Sequence, residues 1–163
     1  MSNETRRDPL AALARIAVHV AGTALVAMAA TEAWQVFARY VLNDSPGWTE
    51  PVALFLLATA MSFGAAAGVH SWSHFGFYIL VHNAPRVLRR AMEALACLIV
   101  AAVATALALW GTRLLVDGID VPQAGSALPQ SAAFLPMALG GALMAVFAIE
   151  RLFVPAASVA AET

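Results

Sequence analysis

The sequence has no lysine, a single cysteine and few charges of either sign: only 12% of its 163 residues are charged. A water-soluble domain carries about a quarter, so an ordinary hydrated surface is excluded. The lone Cys97 rules out an intramolecular disulfide or a paired-thiol redox centre, and in its apolar setting it reads as a packing residue. The chain also lacks a glycine-rich nucleotide loop, a metal-ligand cluster and a nucleophile triad. No catalysis, no bound cofactor and no nucleic-acid partner is expected.

What the chain does have is apolar length. Hydrophobic residues make up 61% of it, with a mean hydropathy of +0.77. Residues 10–36 form one run, interrupted only by Arg15, His19 and Glu32. Residues 52–69 and 94–112 are uncharged, and 131–149 form a fourth run closed by Glu150 and Arg151. A helix rises 1.5 Å per residue, so about 20 residues cross a hydrocarbon layer of ~30 Å. Hydrocarbon offers no partner to a bare backbone, so runs of this length must be helices rather than open strands. The pattern predicts an all-α integral membrane protein with four transmembrane helices in a single membrane domain over residues 1–163.

The arginines set the orientation. Arg6, Arg7, Arg15, Arg86, Arg89, Arg90 and Arg151 flank one end of the spans, and only Arg39 and Arg113 the other. The positive-inside rule then places both termini in the cytoplasm. Arg86, Arg89 and Arg90 also suit anionic lipid of the inner leaflet. The outer connectors, 40–51 and 113–130, carry Asp44, Glu50, Asp117 and Asp120. Arg6-Arg7 followed by an apolar stretch and Ala27-Met28-Ala29 imitates a twin-arginine signal peptide. Arg15 and His19 interrupt the apolar region that such a signal needs, and cutting after Ala29 spoils the alternation of arginines, so the first run is read as a retained span.

Helices in lipid associate by close approach at small residues. The second span offers Ala60, Gly64 and Gly68 at intervals of four; the fourth offers Ala138, Gly140, Gly141 and Ala145; the third, Ala104, Ala108 and Gly111. An ionisable group at mid-membrane costs several kcal/mol and is seldom kept without a role. The middles of spans two, three and four have none. Arg15, Glu93 and Arg151 lie near the inner ends, where long side chains reach the interface. Glu32, Gln35 and Arg39 are spaced to share a face of the first helix as an outer polar seam. No proton relay or broken helix is visible. A haem held between helices needs two histidines at one depth, whereas His19 lies two turns into the first span and His70 at the edge of the second.

Between spans two and three, Trp72, Phe75, Tyr78, Ile79 and His82 recur near helical spacing, and the segment is too short to cross. Residues 72–85, with His74 among them, fit either a short helix lying in the inner interface or a structured loop. At the outer side, Ser45-Pro46 reads as a helix start with Trp48 as a belt residue. Arg39 and Glu50 then flank one short turn, free to pair with each other or with a partner.

Several of these residues together carry a family likeness. The segment Phe37-Ala38-Arg39-Tyr40-Val41-Leu42-Asn43, then Ser45, then Trp48-Thr49-Glu50, a span ending Gly64-Ala65-Ala66, His74, and Pro85 with Arg89-Arg90 resembles the small, DctQ-like membrane subunit of tripartite ATP-independent periplasmic (TRAP) transporters. The likeness runs from about Trp34 to Arg151. It implies a bacterial inner-membrane, heteromeric secondary transporter for organic anions such as carboxylates. A large membrane subunit would hold the substrate and use a sodium gradient, and a periplasmic binding protein would deliver the solute. The small subunit would carry nothing itself, bracing its partner in the lipid bilayer. Many members have Glu-Glu after the tryptophan, whereas here Pro51 follows Glu50; the arginine and aspartate usual around the connector histidine are replaced by His70 and Phe77-Tyr78. These departures point to a subgroup with its own large subunit. A self-contained homo-oligomeric carrier would need polar pore-lining residues, for which Thr59, Ser62 and Thr105 are a thin supply. A b-type cytochrome anchor would need the matched histidines.

Overall fold

A computed structural model describes residues 9–71, 85–125 and 129–153. The expected connector helix, His74 included, lies outside them except for Pro85. Four long helices account for almost all of the described chain: α1 (Pro9–Tyr40), α2 (Thr49–Ser71), α3 (Arg86–Asp117) and α4 (Leu135–Phe153). A 3-10 turn, Gln130–Phe134, leads into α4. Each of the four is long and apolar enough to cross a membrane. At 32 residues, α1 and α3 are about 48 Å long, well beyond a hydrocarbon layer of ~30 Å. Both outlast their apolar runs because a helix goes on through polar residues until a stop signal appears. Thus Arg89 and Arg90 fall in the opening turns of α3, directly after Pro85. No acidic residue occupies that first turn, so the arginines stand where they oppose the helix dipole.

The extensive helix contacts are α1 with α2, α2 with α4 and α4 with α3. The helices therefore stand in the order 1-2-4-3, with α4 inserted between α2 and α3. One end bears the α1–α2 and α3–α4 connectors and is called the connector end; the other, where the first helix begins and the last one finishes, is the terminal end.

α1 meets α2 along a seam of Leu10, Ala14, Ala17, Ala21, Ala24, Met28, Thr31, Gln35 and Ala38, all buried or half-buried. The alternating steps of four and three are a heptad pattern, here built on alanine, so the backbones approach closely. The second-span stripe meets this seam: a methyl added at Gly64 would lie 3.8 Å from the Ala21 Cβ, an ordinary contact. Gly68 is buried in the same helix.

The tightest approaches are instead around α4. A Cβ at Gly140 would come within 2.5 Å of the Ser62 Cβ on α2, and one at Gly141 within 2.7 Å of the Ala108 nitrogen on α3. Gly111 of α3 returns the contact, 2.8 Å from the Ala138 nitrogen. Successive helical residues point about 100° apart, so the adjacent glycines serve two different neighbours. Near the terminal end, Ala14, Ala66, Val69, Ala104, Met144, Phe147 and Ala148 form the buried core. Among the described residues, the larger side chains that are fully enclosed are Phe147 and Thr49. Most large aliphatics face outward, as expected when the surrounding solvent is lipid and burial against protein gains little.

Candidate partner-contact surfaces

The connector end is built by two interlocking turns. α1 stops because Asn43 takes a left-handed conformation (φ 52), which asparagine tolerates better than most residues. The Asp44 N–H then folds back to the Ala38 carbonyl at 3.1 Å. α2 opens at Thr49 rather than at the expected Ser45: the Trp48 carbonyl accepts the Val52 N–H at 3.3 Å, and the buried Thr49 hydroxyl donates to the Pro46 carbonyl at 2.8 Å. Ser45 precedes that turn instead of capping the helix. Pro51, the departure noted beside Glu50, is buried in the first turn of α2, where its missing N–H costs nothing.

The second turn, after α3, closes on itself through Gln130 N–H to the Val121 carbonyl (2.9 Å) and Ser131 N–H to the Gly118 carbonyl (3.3 Å). It touches the first through two glycines. A Cβ at Gly47 would sit 3.1 Å from the Gly125 Cα, and one at Gly125, which has φ +80, 2.6 Å from the Gly47 carbonyl oxygen. Gly125→Ala therefore meets both an unfavourable backbone conformation and a backbone clash. We expect it to separate the two turns and to speed amide exchange across 118–125 and 43–48 while the middles of the spans stay protected.

Around this platform Trp48 is 46% exposed, and Trp34 and Phe37 pair with ring centroids 5.9 Å apart. With exposed Tyr40 and Trp110 they form an aromatic belt of the kind found at a membrane–water boundary. Arg39 and Glu50 are exposed, and among the described residues neither forms an ion pair. Each has a local electrostatic rationale, Arg39 in the last turn of α1 and Glu50 in the first turn of α2. Glu32 is exposed as well, and Gln35, between Glu32 and Arg39 on the helix, is half-buried at the edge of the α1–α2 seam.

The family model described as tripartite ATP-independent periplasmic transporters, DctQ component, matches residues 28–157. The chain belongs to this family. No curated protein matches the sequence. The DctQ match spans the Arg39–Asn43 and Trp48–Glu50 segments together with α2, α3 and α4. With four membrane-length helices, it makes the protein a multi-pass component of a TRAP transporter in a bacterial inner membrane. Association with a large membrane subunit and a binding protein comes with that membership.

At the terminal end of this DctQ protein, α4 grips α2 in a way that the sequence does not announce. The Arg151 guanidinium donates to the His70 carbonyl at 2.6 Å. That carbonyl belongs to the last turn of α2, where helix carbonyls take partners from outside the helix. Glu150 Oε2 lies 3.8 Å from His70 Nδ1, and the His70 ring rests on Phe147 with centroids 4.9 Å apart. Arg151, read above as a topology charge at the interface, is thus also the cap of a neighbouring helix. The separation of 81 positions hides this contact from any local pattern. Cys97 is buried, as its apolar setting suggested.

Proposed function

We propose that this chain is the non-transporting, bracing subunit of a TRAP-type secondary transporter for organic anions. It stands with both termini in the cytoplasm and its connector end in the periplasm. The large subunit carries the anion and uses the sodium gradient, and the connector end helps form the docking face for the periplasmic binding protein.

One observation supports the non-transporting role above all. No charge lies between Glu93 and Arg113 of α3 or between the end turns of α2 and α4, and an anion crossing a bilayer needs compensating polar groups at mid-depth. Hydroxyl donors that would stand in for charges are spent within their own helices: Thr59 donates to the Phe55 carbonyl at 2.8 Å and Thr105 to the Ala101 carbonyl at 2.7 Å. The glycine contacts on both sides of α4 suit a rigid brace rather than a moving part. The docking role is supported by the platform itself, two turns locked through Gly47 and Gly125 with Glu50 and Trp48 exposed beside them.

Reconstitution tests this reading. Liposomes holding the chain alone are expected to take up no labelled carboxylate under a sodium gradient, whereas addition of the large subunit and the binding protein restores uptake. Uptake by the chain alone would overturn it. Glu50→Arg is expected to slow uptake roughly threefold at limiting binding protein, with a changed salt dependence, as for a charge at the rim of an interface. Unchanged uptake at every salt concentration removes Glu50 from the docking face.

A further inference from the structure

The two edge helices of the 1-2-4-3 row face outward with different chemistry. α3 presents Leu95, Leu98, Ile99, Val103, Leu109 and Trp110, a surface suited to lipid. On α1, with Leu13, Ile16 and Leu25 exposed to either side, the exposed positions opposite the alanine seam include Arg15, His19, Gly22, Thr23, Val26 and Ala30. Most are small or polar. A Cβ at Gly22 would meet nothing within 4 Å, so the backbone there is open to close approach. Arg15 and His19 stand above it around a shallow hollow that they share with Ala12, Ile16 and Val20.

His19 is the decisive residue. Its Nδ1 lies 2.7 Å from the Arg15 carbonyl. A carbonyl only accepts, so Nδ1 carries the proton, and in the neutral ring Nε2 is then the acceptor. Among the described residues Nε2 has no partner, and the Arg15 guanidinium has none either. His19 is 15 positions from Trp34 of the aromatic belt, about 22 Å along the helix, which sets it inside a hydrocarbon layer of ~30 Å. Histidines at such depth nearly always face protein. Arg15, one turn nearer the terminal end, reaches the boundary. Thr23 makes no such demand, since its hydroxyl donates to the His19 carbonyl at 2.8 Å.

We propose that this face of α1 seats a transmembrane helix of the large TRAP subunit that carries a hydroxyl or amide donor opposite His19 and a carboxylate opposite Arg15. The inference rests on the reading of the chain as a bracing subunit, and it selects α1 rather than α3 as the side that does the bracing. Lipid covers the α3 face.

The test uses the full chain expressed with the large subunit of its own transporter. A photoreactive phenylalanine at position 26 or 30 of α1 is expected to cross-link to the large subunit about tenfold more than one at position 98 or 103 of α3, the scale of a single buried polar contact. The double variant Arg15→Gln, His19→Leu is expected to lower recovery of the large subunit roughly tenfold. The same variant leaves the melting of the isolated chain unchanged, which separates lost contact from lost folding. Should the complex be recovered but cross-link only from α3, yield only lipid adducts or homodimers from α1, or survive the double variant intact, the inference fails and the bracing role stands. Failure of the unaltered chain to recover any large subunit refutes the bracing role and this inference together.

Discussion

Gly141→Val is expected to part α3 from α4 and to cause the largest loss of stability of any single change in this protein. The added Cβ would lie 2.7 Å from the Ala108 nitrogen and 3.1 Å from the Ala104 carbonyl oxygen. Both are backbone atoms, so no rotamer change relieves the clash and one helix must move. Overpacking of a close-packed contact typically costs about 1–3 kcal/mol, and valine adds two further methyls to the first. Gly140→Val strikes α2 in the same manner, with the Ser62 carbonyl carbon at 2.9 Å and oxygen at 3.0 Å. Thermal unfolding of the detergent-purified chain measures both. Gly22→Ala is the matched control: its new methyl touches nothing, and alanine favours a helix over glycine by about 1 kcal/mol. The control is expected to melt at or above the parent. Equal melting of Gly141→Val and Gly22→Ala would show that α3 and α4 do not pack as described.

The second large effect is expected from Arg151→Met. Methionine keeps much of the side-chain length and loses the charge and all donors, so the His70 carbonyl at the end of α2 is left without its 2.6 Å partner. A hydrogen bond to a charged group contributes about 1.5–3 kcal/mol, and the loss falls on the final turn of α2. Amide exchange in residues 66–71 should accelerate at least as much as global stability falls. Arg151→Lys retains one donor and is expected to recover part of the loss. Glu150→Gln removes the carboxylate 3.8 Å from His70 while leaving the cap, and its effect should be the smaller of the two. If Arg151→Met leaves exchange at the end of α2 unaltered, the cap contributes nothing.

Much of this architecture was readable from composition because lipid imposes a simple rule, that a long apolar run has no alternative to a helix. The spans were therefore found, but their ends were not. Helices continue through Arg39 and Arg89 until Asn43 or Pro85 stops them, and stops depend on backbone conformation rather than hydropathy. Small residues were visible in three spans, yet spacing alone did not say which were essential. Gly64 makes an ordinary contact, while Gly111, Gly140 and Gly141 are positions without room for a side chain. The alanine heptad of α1 is legible as alanines in steps of three and four, although nothing local says which helix it meets. Ser45 resembles a cap in sequence because a serine before proline looks the same whether a turn or a helix follows. The Arg151–His70 contact and the Gly47–Gly125 lock join distant segments, so only the folded arrangement reveals them. The family segment around Arg39–Asn43 and Trp48–Glu50 was legible, and its physical content is now specific: Asn43 ends one helix, Trp48 opens the next, and Arg39 and Glu50 complement the two helix dipoles.

The placement of α4 between α2 and α3 bears on how the protein is made. As the ribosome delivers the chain, α1 and α2 emerge as neighbours and can pair at once, but α3 arrives with its proper contact still unsynthesised. It must wait at the insertion channel or in the bilayer until the last helix emerges and slides in beside it. Truncation anywhere before residue 135 therefore leaves α3 without its main packing partner, and a ribosome stalled there holds a polypeptide already threaded through the membrane yet unable to finish its fold.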